Sequence, residues 1–169
     1  RLEPGLSLRK TLIIGYGNPD RQDDGIAWHI LAAVARYFEY PLPSSWEEGF
    51  QPSPQHPNLE LHFALQLVPE LAEHVAQFER VGFVDAHTGR VPEDVNIEEL
   101  CCEFQASPLT HHLTACSCLS ICEALYGKTP EAILVSVRGY EFGFTQTLSP
   151  YTQALVEPAV EKILGWLQA

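Results

Sequence analysis

The chain has 169 residues, 46% of them hydrophobic and 19% charged. That is enough apolar material for the core of one ordinary domain, and too much for a disordered chain. Ten Lys and Arg against 22 Asp and Glu leave a formal net charge of −12, which argues against nucleic acid and anionic membranes and favours cations or a basic polypeptide as partners. No apolar run approaches the ~18 residues of a membrane span, and the N-terminal residues hold no hydrophobic signal core. Five cysteines, at positions 101, 102, 116, 118 and 122, are an odd and crowded set. They read as reduced thiols and not as a disulfide framework, so the sequence predicts a cytoplasmic protein.

In chain order, residues 11–15 form a short, branched, buried-type strand that runs into glycine, and apolar residues recur at helical spacing from 25 to 38 (Ile26, Ile30, Leu31, Val34, Phe38). Five prolines between Pro41 and Pro57 exclude a helix interior or a central strand, so 41–57 is predicted as an exposed loop inserted in a single domain. A strand follows at 59–65, then a helix over 69–78 and a strand over 81–85. Pro69 and Glu70 suit a first helical turn, where a missing N–H is harmless and a carboxylate meets the dipole. A weaker strand is expected at 95–104. The helix over 114–126 stops at Gly127, and residues 132–137 form another buried strand. Ser149 caps a last helix that reaches 167 and must kink or break at Pro158. Strands alternating with helices predict a three-layer α/β/α domain whose twisted, mostly parallel sheet has about five strands. In such sheets ligands sit beyond the carboxyl ends of the strands.

Three segments fall at such places: Gly15-Tyr-Gly-Asn-Pro-Asp-Arg-Gln-Asp-Asp-Gly25, Asp85-Ala-His-Thr-Gly89 and Ser107-Pro-Leu-Thr-His-His-Leu113. They carry Asp23, Asp24, Asp85, His87, His111 and His112 toward one rim. Oxygen and imidazole donors gathered there suit a borderline divalent metal such as nickel or zinc. Taken singly, Asp23 or Asp24 reads as a helix cap, Asp85 as a turn former and the His111–His112 pair as a solvated one. The first segment lacks the third glycine of the dinucleotide fingerprint and the Gly-Lys-Ser/Thr of a phosphate loop. No Gly-x-Ser-x-Gly elbow and no His-Glu-x-x-His pair occurs. Cys118 and Cys122 share one helix face, Cys116 is turned away from them, and Cys101 and Cys102 point to opposite faces of a strand. They are read as structural thiols, with a Cys116–His111 peptidase as the minor alternative. Trp28, Phe38, Trp166 and Leu167 are assigned to the core, and His29 to a surface or packed position.

The stretch Leu12-Ile-Ile-Gly-Tyr-Gly-Asn-Pro-Asp-Arg-Gln-Asp-Asp-Gly25 resembles the N-terminal signature of the hydrogenase maturation proteases, and the resemblance continues through Gln66-Leu-Val-Pro-Glu-Leu-Ala-Glu73, Phe83-Val-Asp-Ala86, Ser107–Leu113, Ala124-Leu-Tyr-Gly127, Val137-Arg-Gly-Tyr140 and Leu148-Ser-Pro150. It implies an endopeptidase that removes a C-terminal extension from the large-subunit precursor of a nickel–iron hydrogenase. It also implies that Asp24, Asp85 and His111 form the catalytic, metal-sensing site, with His112 competing for the histidine role. The nickel would arrive on the precursor's thiolates, and zinc or cadmium could stand in for it in a crystal. From sequence alone, a nickel-binding accessory protein or metallochaperone that cuts nothing would use the same three ligands.

Overall fold

The computed structural model describes residues 9–100 and 113–169. Its strands are β1 (Thr11–Tyr16), β2 (Leu59–Ala64), β3 (Arg80–His87), β4 (Val95–Glu99) and β5 (Glu131–Arg138). Its α-helices are α1 (Ile26–Tyr37), α2 (Leu71–Val75), α3 (Ala115–Tyr126), α4 (Pro150–Gln153) and α5 (Val156–Gln168). The strands form one sheet in the order β2-β1-β3-β5-β4, parallel throughout except for β4, which runs antiparallel to β5.

Alternation along the strands divides the core in two. Ile13, Leu61, Phe63, Val84 and Val135 pack with α1 and α5 on one face. Leu12, Ile14, Val81 and Phe83 pack with α2 and α3 on the other. Strands buried on both faces need helices on both, and the three layers follow. No helix among the described residues is long and apolar enough to cross a membrane.

The elements depart from the sequence reading in three places. The α-helical part of 69–78 is only α2, and the chain reaches Phe78 through tighter bonds, Gln77 N–H to His74 O and Phe78 N–H to Val75 O. The last helix breaks between Gln153 and Val156, ahead of Pro158, which lies in the first turn of α5, where backbone N–H groups lack intrahelical acceptors anyway. The proline-rich segment is not merely exposed. It contains a 3-10 turn (Trp46–Glu48), and its Trp46 and Phe50 rings lie against Phe63 and Trp28 at 6.2 and 5.2 Å.

Sheet order fixes where a ligand can enter. From β1 the chain crosses over α1 to β2 on one side, then returns over α2 to β3 on the other side of β1. The two crossovers cover opposite faces, so a crevice opens beyond the adjacent carboxyl ends of β1 and β3, at a topological switch point.

Candidate active site at the strand switch point

Immediately beyond β1 the backbone reverses within a few residues. Gly17 takes φ of +141°, and a Cβ there would sit 2.1 Å from the Asp24 carbonyl oxygen. Only glycine permits that approach. A Cβ on Gly25 would lie 2.5 Å from the Pro19 Cα. The 3-10 segment Pro19–Gly25 is thereby folded back on the end of β1, and the Asn18 N–H donates to the Asp24 carboxylate at 2.8 Å.

Asp24 and Asp85 line the same cleft, of about 620 Å³, together with Tyr16, Gln66, Arg90 and Ser136. Asp85 comes from β3, directly opposite Ser136 of β5. Burial pushes its carboxyl up to about 6, and the nearby charge of Asp24 adds to that. Three groups oppose the rise: Arg90, whose Nη2 lies 3.7 Å from Asp85 Oδ2, the Ala86 N–H, and the Tyr16 hydroxyl, which donates to the carboxylate. Burial and the Asp85 charge hold the Tyr16 phenol well above its ordinary value, so Tyr16 stays a donor. Two carboxylates in one cleft, with Arg90 and the Tyr16 phenol both at Asp85, can bind a metal or activate a water.

Other residues assigned to this rim lie elsewhere. Asp23, next to Asp24 in sequence, is fully buried. Its Oδ2 accepts from Tyr140 N, Glu141 N, Ser149 Oγ and Thr152 Oγ1, and its Oδ1 from Ser149 N, at 2.6–2.9 Å. Burial alone would raise its pKa, but the bonds from Ser149, Glu141 and Tyr140 outweigh that and hold the carboxyl below its ordinary range. It is a structural anchor. His87 is also out of the rim, only 2% exposed, with Nδ1 accepting from Gly89 N and Nε2 against Glu93 O. His111, His112, Cys101 and Cys102 lie outside the described residues, and among the described residues no group of three or more His, Cys, Asp or Glu is placed to hold a metal.

The cysteine reading also changes. Cys116, on the cleft wall, is disulfide-bonded, which removes its thiol as a nucleophile and corrects the all-reduced expectation. Cys118 and Cys122 are free and buried, as helix spacing predicted. Phe38 and Leu167 are core residues, Trp28 and Trp166 are partly buried against the core, and His29 is half-buried with its Nε2 unpartnered. Tyr16 and Arg90 were not singled out by sequence. The only signal for Tyr16 was its place between the first strand and Gly17, and Arg90 had none beyond a loop following a strand end.

The architecture is that of an α/β protein with a carboxylate-lined cleft at its switch point. The fold is similar to that of solved hydrogenase-maturing endopeptidases. HybD from E. coli is 21% identical, with a TM-score of 0.64 over 94% of this chain and 92% of that one. The NiFe hydrogenase maturation protease HybD from Thermococcus kodakarensis is 17% identical, with a TM-score of 0.64 over 94% and 99%. HycI from the same organism gives 17% and 0.64 over 98% and 97%. No protein-family model and no curated protein matches the chain.

Proposed function

We propose that this protein is a processing endopeptidase that removes the C-terminal extension from the nickel-loaded large-subunit precursor of a nickel–iron hydrogenase. The observation that carries this reading is the meeting of Asp24 and Asp85 in one cleft, at the switch point of a fold shared with the hydrogenase maturation endopeptidases. On this reading Asp24, Asp85 and His111 complete the coordination of nickel already bound to the precursor's thiolates. The metal is part of the substrate. Two carboxylates and an imidazole hold a free divalent ion weakly, whereas an ion anchored by the precursor's sulfurs needs only completion. Cleavage is then coupled to correct metal loading, because nickel supplies binding free energy only when present.

The protein's own groups have defined tasks. Tyr16 and the Ala86 N–H orient the Asp85 carboxylate, and Asn18 N–H orients Asp24. Asp85 ionises more readily when a cation enters, since the charge that burial disfavours is then compensated. A carboxylate not engaged by the metal can take a proton from the attacking water.

The test is mass spectrometry of the large subunit after incubation with matched nickel-loaded and nickel-free precursors. Loss of the C-terminal peptide from the loaded form alone is expected. Asp24→Ala and Asp85→Ala should each reduce the rate at least about 100-fold, in line with loss of a group acting in the transition state. Equal cleavage of both precursors would overturn nickel sensing, and cleavage of neither would overturn the endopeptidase reading.

A further inference from the structure

Among the described residues, the cleft that holds Asp24 and Asp85 is lined by a single basic side chain, Arg90, against three carboxylates, those two and Glu98. Arg90 stands on the loop that leaves β3. The foot of that loop is fastened by the buried His87 ring, whose Nδ1 accepts from Gly89 N and whose Nε2 lies against Glu93 O, both at 3.0 Å. Gly89 turns there with φ of +106°, close over the Arg138 guanidinium. The chain doubles back, and Arg90 Nη2 comes to 3.7 Å from Asp85 Oδ2.

The other partners of the two carboxylates are held by the fold. The Asn18 and Ala86 N–H groups belong to the backbone, and the Tyr16 hydroxyl comes from the last residue of β1. Arg90 differs from them. Its contact is longer than a hydrogen bond and its side chain is 58% exposed. Asp85 is thus faced by a cation that can leave.

We propose that Arg90 is a specificity residue, which competes with free divalent cations for Asp85 and admits nickel already carried by thiolates. A free divalent ion entering the cleft brings its full charge beside the guanidinium. It either bears that repulsion or displaces Arg90 from Asp85, and each costs affinity. A thiolate-bound ion meets less opposition, because every sulfur cancels one unit of its charge and two thiolates cancel all of it. Arg90 thereby separates two states of one metal by charge, raising selectivity through a repulsive element and not through a new attraction. The identity of the favoured cargo rests on the endopeptidase reading, whereas the competition with free ions rests on the cleft alone.

The test is calorimetric titration of the whole protein with nickel chloride, and separately with zinc chloride, at pH 7 and low salt. Arg90→Gln should bind both ions at least about 3-fold more tightly than wild type, the order expected on removing a partly exposed charge pair. Arg90→Lys keeps the charge and should stay within about 2-fold of wild type, and about 1 M NaCl should shrink the advantage of the Gln variant. Thermal melts establish that each variant is folded, and Arg90→Met takes the place of Arg90→Gln should that variant not fold. Equal or weaker ion binding by the neutral variant, or no binding by either protein, would overturn the proposal. A Lys variant that binds as tightly as the Gln variant would remove charge as the cause and overturn it too. With nickel-loaded precursor, free nickel should halve the cleavage rate of Arg90→Gln at a concentration at least about 3-fold below that needed for wild type. An unchanged concentration overturns competition during processing and leaves the endopeptidase reading intact. If the neutral variant gains ion affinity while wild-type protein never cleaves the precursor, that reading falls and the competition with free ions stands.

Discussion

Two adjacent aspartates have opposite environments, and the difference is set by what reaches them. Asp24 opens into the cleft, while Asp23 is enclosed by five donors from residues 140–152. Removing the acceptor leaves those donors buried without a partner, so Asp23→Ala should lower the unfolding free energy by more than about 3 kcal/mol, measured by urea denaturation at pH 7. Because the folded carboxyl lies below its ordinary value, its ionic stabilisation is present above about pH 4 and is lost as pH falls through the folded pKa. The deficit of Asp23→Asn should therefore narrow in acid. Asp85 has the opposite sign. Its folded carboxyl is raised to about 6, so between about pH 4 and 6 the native state keeps a proton that the unfolded state has released, and stability falls as pH rises. In the metal-free protein Asp85→Asn should be more stable than wild type by about 1–3 kcal/mol at pH 7, with the difference vanishing near pH 4. Thermal melts at the two pH values check this, and a destabilised Asp85→Asn at pH 7 would contradict it. The environment of Asp23 was not legible from neighbouring residues, since its partners lie 117–129 positions away.

Among the elements, the ones dictated by local pattern were the ones readable in sequence. β2 alternates buried and half-buried residues, and α3 begins at its Thr114 cap and ends at Gly127 in the left-handed conformation. The antiparallel course of β4 was not readable, because its partly exposed Val95-Asn-Ile-Glu-Glu99 pattern is compatible with either direction. Likewise, the proline-rich segment declared itself a loop, but its packing on Phe63 depends on rings far apart in sequence. The end of α5 is held by a residue that composition would have placed on the surface. Arg80, 2% exposed at the start of β3, donates to Trp166 O, Leu167 O and Thr11 Oγ1 at 3.0–3.1 Å, and its guanidinium lies 4.7 Å from the Trp166 ring centre. A lysine is a point charge without that fork, so Arg80→Lys should cost about 1–3 kcal/mol and loosen α5 first. Hydrogen exchange of the α5 amides is the appropriate readout, and unchanged protection there would contradict the capping role.

For the whole molecule, the doubly wound topology was legible because helix and strand periodicities alternate along the chain, and the topology alone located the cleft. The site was legible in part. Asp24 and Asp85 converge because the switch point brings the ends of β1 and β3 together, whereas His87 was misassigned because a strand-end histidine can fold inward onto its own loop. The bonds from residues 140–152 to Asp23 have a further consequence for the order of assembly. A chain emerging N-terminus first carries Asp24 long before it carries Tyr140, Ser149 and Thr152. Until those residues arrive, the segment bearing Asp24 lacks the contacts that hold it against the sheet, and contacts of such long sequence separation form late in folding. The cleft is therefore completed only when nearly the entire chain is available, and a partly synthesised chain has the sheet's first strands without a working site between them.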